Sequence, residues 1–286
     1  MAFGRPPGPA GYPNLPGKHA YEAVIDPAEH VRYVQARRGA TDLRAVRGVV
    51  LLYQGSLLRW VLDTQPVRSL TGWVSGDLHL LEHTDHRVGV CGAFGLGAPA
   101  AALVTEQLIA LGVHRVITVG TAATLRDDVG PGEVVVCRRA VRDDGVSHHY
   151  LPPHLYAYPC PALTRHLLEV VRARGLRPRS ADGWSIATPY RETRQEVDHY
   201  RSQGVLTVDM EATGLFAVAQ YRRVHAAAAF VVSDSVAAPL RQPRSDSAAT
   251  GTALRHLFGA AVAALHTPPS AAGPTWSGSL PQEGRS

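Results

Sequence analysis

Three groups of residues in this chain have the types and spacing to do chemistry. Glu211 stands between an apolar run, Leu206 to Met210, and an apolar helical stretch. A carboxylate there has oxygens free to accept hydrogen bonds from a pair of hydroxyls, as on a sugar diol. The same acid would also complement the dipole of the helix it opens. Asp234 ends the run HAAAAFVVSD. Partial burial raises a carboxyl pKa and suits such a group to general-acid work, although an aspartate after a strand also suits an N-cap. Gly55 and Arg59 lie one helical turn apart after the buried run RGVVLLY. Amide groups at a helix start, together with a guanidinium, suit an oxyanion such as phosphate. A glycine turn followed by a surface arginine has the same spacing.

The elements that must position these residues alternate between strand and helix. The central unit runs from Val88 to Thr124. A β-branched strand ends in Gly92-Ala93-Phe94-Gly95-Leu96-Gly97, Pro99 opens an apolar helix that closes at Gly112, and the strand Val116 to Val119 runs into Gly120-Thr121. The connecting helix predicts parallel neighbouring strands, with ligands beyond their carboxyl ends. Gly95-Leu96-Gly97 lacks the third glycine of a dinucleotide fingerprint, and no acid ends a following strand about twenty residues on.

Around this unit the sequence predicts a helix over Ala28 to Arg37, opened by Asp26-Pro27. A strand over Arg47 to Tyr53 leads to a helix ending near Leu62, and a hairpin spans Thr71 to Glu82 around Gly76-Asp77. Further on come a strand Glu133 to Cys137, a polar loop Arg142 to Tyr150, and a helix Ala162 to Arg174. A strand leaves through Gly183 to Tyr190, and Thr193 caps a helix to Arg201. The pattern closes with the strand Leu206 to Met210, the helix Glu211 to Arg222, the strand Ala226 to Val232 and the helix Ala249 to Leu265. Such alternation indicates a three-layer α/β domain over residues 17–266. The segments 1–16 and 267–286, rich in Gly and Pro, read as flexible tails.

Composition excludes several classes. Lys18 is the only lysine, and the arginines behind the +5 net charge are scattered, so no nucleic-acid surface is expected. No window approaches the roughly 18 apolar residues of a membrane span, and the N-terminus lacks the apolar core of a signal peptide. A cytoplasmic location follows as an expectation. Cys91, Cys137 and Cys160 are too few for a disulfide framework. His148-His149 has no third ligand at metal-binding spacing, so no metal is expected.

Taken in order, these pieces resemble the α/β nucleoside phosphorylases of the uridine phosphorylase-like and purine nucleoside phosphorylase-like family. The likeness runs from about Pro13 to Leu265 and rests on Gly55 with Arg59, VITVGT (116–121), PGEVVVCRRAVRDDGVSHHY (131–150), PYRET (189–193), VDMEATGLFAVA (208–219) and VVSDS (231–235). The resemblance implies a mixed, mostly parallel twisted sheet forming a distorted barrel flanked by helices. It also implies cleavage of a nucleoside N-glycosidic bond by inorganic phosphate, without a cofactor, in a homo-oligomer such as a dimer or hexamer. By motif match, Gly55, Arg59 and Thr121 would hold phosphate, and Met210 and Glu211 the ribose. Tyr190 falls in the base-side segment, and His19, on an N-terminal arm, would reach a neighbouring subunit's ribose pocket. Asp234 matches the acid that protonates a leaving purine. The chain departs from the family at Thr118, where many members carry arginine, at Ala122-Ala123-Thr124 in the base shelf, and at Ala187. These departures leave two alternatives beside phosphorolysis: hydrolysis by a nucleosidase, and a ligand-binding member without turnover.

Overall fold

A computed structural model describes residues 14–39, 41–72, 75–237 and 248–267. The tails expected at 1–16 and 267–286 lie almost entirely outside those residues. In chain order the elements are α1 (Pro27–Arg38), β1 (Gly48–Leu52), α2 (Gly55–Thr64), β2 (Val67–Ser69), β3 (Asp77–Leu81), β4 (Val88–Gly92), α3 (Gly97–Ala110), β5 (Arg115–Thr124) and β6 (Val134–Asp143). They continue with α4 (Ser147–Tyr150), β7 (Tyr156–Ala157), α5 (Pro161–Ala173), β8 (Arg179–Ile186), α6 (Arg194–Ser202), β9 (Val205–Asp209), α7 (Ala212–Arg222), β10 (His225–Ser235) and α8 (Ala248–His266).

Local chemistry explains the starts of several elements. Asp26 Oδ1 accepts the Ala28 amide at 2.9 Å, with Pro27 at the first helical position of α1. Thr193 and Glu196 form a reciprocal capping box at the start of α6. The short strands β1 and β4 are buried from end to end, as expected for strands covered on both faces.

The sheet order is β10-β6-β8-β9-β5-β1-β4-β3-β2, and β10 also pairs with β5. Five strands therefore close into a barrel, with β1, β4, β3 and β2 extending from β5. Helices α2, α5 and α8 bury one apolar core and α1, α3 and α7 the other. The result is the three-layer mixed α/β arrangement. Cys91, Cys137 and Cys160 are buried and none is in a disulfide among the described residues.

Four expectations need correction. Strands β4 and β5 are parallel but not neighbours, because β1 pairs with both. Gly120-Thr121 lies inside β5, which continues to Thr124 to pair with β9 and β10. The polar run from Arg142 is not wholly a loop, since β6 extends to Asp143 and residues 147–150 form a helical turn. The hairpin pairs β3 with Val67–Ser69, upstream of the expected arm.

Gly214 allows α7 to lie against α3. A methyl group there would stand 2.8 Å from the carbonyl oxygen and 2.9 Å from the Cα of Ala98, and backbone cannot yield as a side chain does. Gly214→Val is expected to cost about 3 kcal/mol by overpacking. Urea unfolding checks this, and an unchanged midpoint would show that the two helices part freely.

Candidate active site

The site lies where two sets of strand ends converge. Parallel pairing sets Leu51 opposite both Cys91 and Thr118, and Leu52 opposite Val119. The loops after β1 and β4 therefore reach the level of Gly120-Thr121. Strand β9 runs against β5, with Val208 opposite Ala123, and delivers Met210 and Glu211 to the same level from the other direction. The two sets meet at Gly97, whose amide donates to Glu211 Oε1 at 2.7 Å. Gly97 has φ 86°, and a methyl group on it would sit 3.9 Å from Met210 Cε. A left-handed backbone at this contact favours glycine.

Glu211 is buried and stands at the N-cap position of α7, yet its side chain makes no cap bond to that helix. That task falls to Asp209, whose Oδ1 accepts the amides of Glu211 and Ala212, each at 2.8 Å, and the Ser185 hydroxyl at 3.0 Å. The carboxylate of Glu211 is thereby turned toward the loop before α3, with Oε2 near the Met210 amide at 3.3 Å. Burial, reinforced by the charge of Asp209, raises the Glu211 pKa to about 7. Burial likewise raises Asp209 to about 6, against the three hydrogen bonds that favour its charged form.

Beyond β1, Gly55 opens α2 into open space, and the first amides of a helix have no intrahelical acceptor. Arg59 lies one turn further on and is exposed. Thr121 Oγ1 accepts the Gln54 side-chain amide at 2.9 Å. Thr118 is fully buried with its hydroxyl facing that of Tyr53, and Gln54 Oε1 has no hydrogen-bond partner among the described residues. Burial, then the charge of Glu211, pushes the Tyr53 phenol well up, so it stays neutral. Arg142 is engaged away from this group. Its guanidinium donates to the carbonyls of Ser147, Leu151, Pro152 and His154 and to the Ser147 hydroxyl.

Asp234 is buried near the end of β10, opposite Ala123. A bulge at Ser233 sets it there, where an unbroken ladder would have put it opposite Thr124. Its Oδ1 accepts the Ser233 hydroxyl at 2.9 Å.

Gly55, Thr121, Met210 and Glu211 are thus brought to one level, with Asp234 on the adjoining rungs. Three expected residues stand apart. Tyr190 is 97% exposed. Arg59 makes no hydrogen bond or ion pair with the others. His19 Nε2 lies 3.0 Å from the His148 carbonyl of its own chain. Asp209 belongs, with Met210 and Glu211, to the residues that the strand-end rule collects, whereas Tyr53 and Gln54 escaped the sequence reading. Both lie within two residues of the end of β1, which is the signal that marks them.

Comparison with known proteins places this geometry in a family. A model of the Phosphorylase superfamily matches residues 64–267, more than half of the chain, beginning after Gly55 and Arg59. A DeoD-type purine nucleoside phosphorylase of Yersinia enterocolitica is 28% identical over 183 residues, 63% of this chain and 73% of that enzyme. A uridine phosphorylase of Treponema pallidum is 30% identical over 149 residues, covering 48% of this chain and 58% of that one. The crystal structure of an AMP nucleosidase from Bacteroides thetaiotaomicron superposes with a TM-score of 0.66 at 18% identity, over 82% of this chain and 95% of that one, a likeness of fold. No described helix is long and apolar enough to cross a membrane. The chain belongs to the Phosphorylase superfamily.

Proposed function

We propose that this protein cleaves the N-glycosidic bond of a purine-type ribonucleoside with inorganic phosphate, giving free base and ribose 1-phosphate. The observation that carries the reading is Glu211. Its carboxylate is freed from capping by Asp209 and turned toward the glycine loop before α3. Two hydroxyls of a ribose would donate to its oxygens. Phosphate would lie against the opening amides of α2, with Arg59 and Thr121. Bond cleavage puts positive charge on the sugar and negative charge on the base. A phosphate dianion stabilises the first, and a proton from Asp234 relieves the second. The named activities of the Yersinia and Treponema relatives both accord with phosphorolysis, and that of the Yersinia relative also with a purine. Assembly as a homo-oligomer belongs to the same proposal, with His19 reaching a neighbouring subunit.

A second reading, hydrolysis, is favoured by one observation. The carbonyl of Gln54 is buried and unpartnered among the described residues beside Gly120, and the neighbouring Tyr53 phenol is neutral. Such a set suits water at least as well as a dianion. Incubating the protein with a nucleoside panel, with and without phosphate, separates the readings. Base release should require phosphate and yield sugar 1-phosphate, whereas equal release without phosphate would make the enzyme a nucleosidase. Arg59→Ala should raise the KM for phosphate about tenfold or more, the value of a charge-assisted hydrogen bond. An unchanged KM would remove Arg59 from the site.

A further inference from the structure

We propose that Asp209 is a positioning residue for the carboxylate of Glu211. It pins the Glu211 backbone and keeps a second buried carboxyl beside it, so that the empty site holds a proton that a bound diol displaces to solvent. The inference rests on the reading of Glu211 as the acceptor for the ribose hydroxyls.

The geometry is that of one carboxyl tying three elements together. Asp209 ends β9, and its Oδ1 takes the first two amides at the start of α7 and the hydroxyl of Ser185 from β8. Ser185 Oγ in turn accepts the Thr213 amide at 3.2 Å. Three donors at Oδ1 hold the backbone turn that aims Glu211. The other oxygen, Oδ2, is buried and has no partner among the described residues. It faces the space beside Gly183, where a methyl group would stand 3.6 Å from it and 3.6 Å from Thr207 Oγ1.

Two carboxyl groups in one desolvated place resist ionising together. Among the described residues, the groups facing them add no positive charge. Asp144, before α4, and the Cys137 thiol of β6 bear on Asp209, and the Tyr53 phenol bears on Glu211. Asp144 accepts the Ser147 amide and the Thr213 hydroxyl, each at 2.7 Å. The raised pKa values, about 7 for Glu211 and about 6 for Asp209, agree with a proton resident at the pair near neutrality. A diol brings two O–H donors to Glu211. They favour its ionised form, and the proton passes to bulk water as the diol binds. Ribonucleoside binding should therefore weaken as pH falls below about 7.

The test uses the whole protein with aspartate and glutamate carboxyl carbons labelled with ¹³C. Asp209→Asn keeps an oxygen acceptor for the α7 amides and removes the charge. The Glu211 carboxyl should then titrate about one pH unit lower or more, and the acid limb of the ribonucleoside KM should move with it. A structural role alone would leave that midpoint in place. In the wild-type protein the two carboxyl carbons should each titrate in two steps that mirror one another, a measurement that needs no variant to fold. An unmoved Glu211 midpoint in Asp209→Asn, or two independent single-step curves in the wild type, overturns the proposal. Failure of the wild type to act on any ribonucleoside is a separate result and strikes the diol reading instead.

Discussion

Asp234→Asn should slow cleavage of purine ribonucleosides by about a hundredfold or more, within the range of general-acid assistance. The side chain is buried at the bulge of β10 and accepts the Ser233 hydroxyl, so asparagine fits the space but has no proton to give. A purine leaves with charge that protonation of its imidazole ring relieves, whereas uracil leaves as a delocalised anion. A nitrophenyl riboside carries a good leaving group and needs no proton. Rates on inosine, uridine and the nitrophenyl substrate should therefore separate in the variant, with the purine most affected. Equal slowing of the nitrophenyl substrate and inosine would make Asp234 a structural residue and remove the residue-level support for a purine substrate.

Glu211→Gln should lower kcat/KM on ribonucleosides by at least about tenfold, since each hydrogen bond to a charged acceptor contributes about 1.5–3 kcal/mol. Glutamine can still accept the Gly97 amide at one end, but it presents a donor at the other. Wild-type turnover by the variant would show that Glu211 serves only the scaffold. The same substitution has a signature in stability. The folded pKa of Glu211 is about 7, raised from 4.5. Between these values the native state keeps a proton that the unfolded chain has lost. Wild-type stability should therefore fall as pH rises from about 4.5 to about 7 and level off above, by about 3 kcal/mol for the full shift. Asp209 acts in the same sense between 3.8 and about 6. Urea midpoints measured across this interval should show a shallower slope in Glu211→Gln, and equal slopes would mean that Glu211 is already ionised in the empty site.

Features written in neighbouring residues were legible before any coordinates. Asp26-Pro27 and the Thr193–Glu196 box mark their helices because a cap needs only a few consecutive residues. The rule that ligands gather beyond strand ends picks out Gly55, Glu211 and Asp234 by the same local logic. What could not be read depends on distant partners. Nothing between Val88 and Thr124 announces that β1 will lie between the two strands of that unit. The polar stretch after Arg142 has the composition of a loop, yet its arginine is buried among carbonyls and continues a barrel strand. The assignment of capping to Asp209 rather than Glu211 also turns on a hydroxyl from another strand, Ser185. The bulge that aims Asp234 exists only in the pairing of β10 with β5.

The closing of the barrel by β10 has a consequence for how the protein is made. β5 ends at Thr124 and β6 at Asp143, but the strand that covers the free edge of both begins at His225. A ribosome adding about 5–20 residues per second leaves those two edges bare for roughly 5–20 s before their partner emerges. Bare edges are templates for pairing with other chains. The nascent protein is thus most exposed to misassembly late in synthesis, after most of its helices have formed. A substitution that delays the docking of β10, such as a proline among Ala226 to Val231, would be felt first as lost yield and only second as a lower melting temperature.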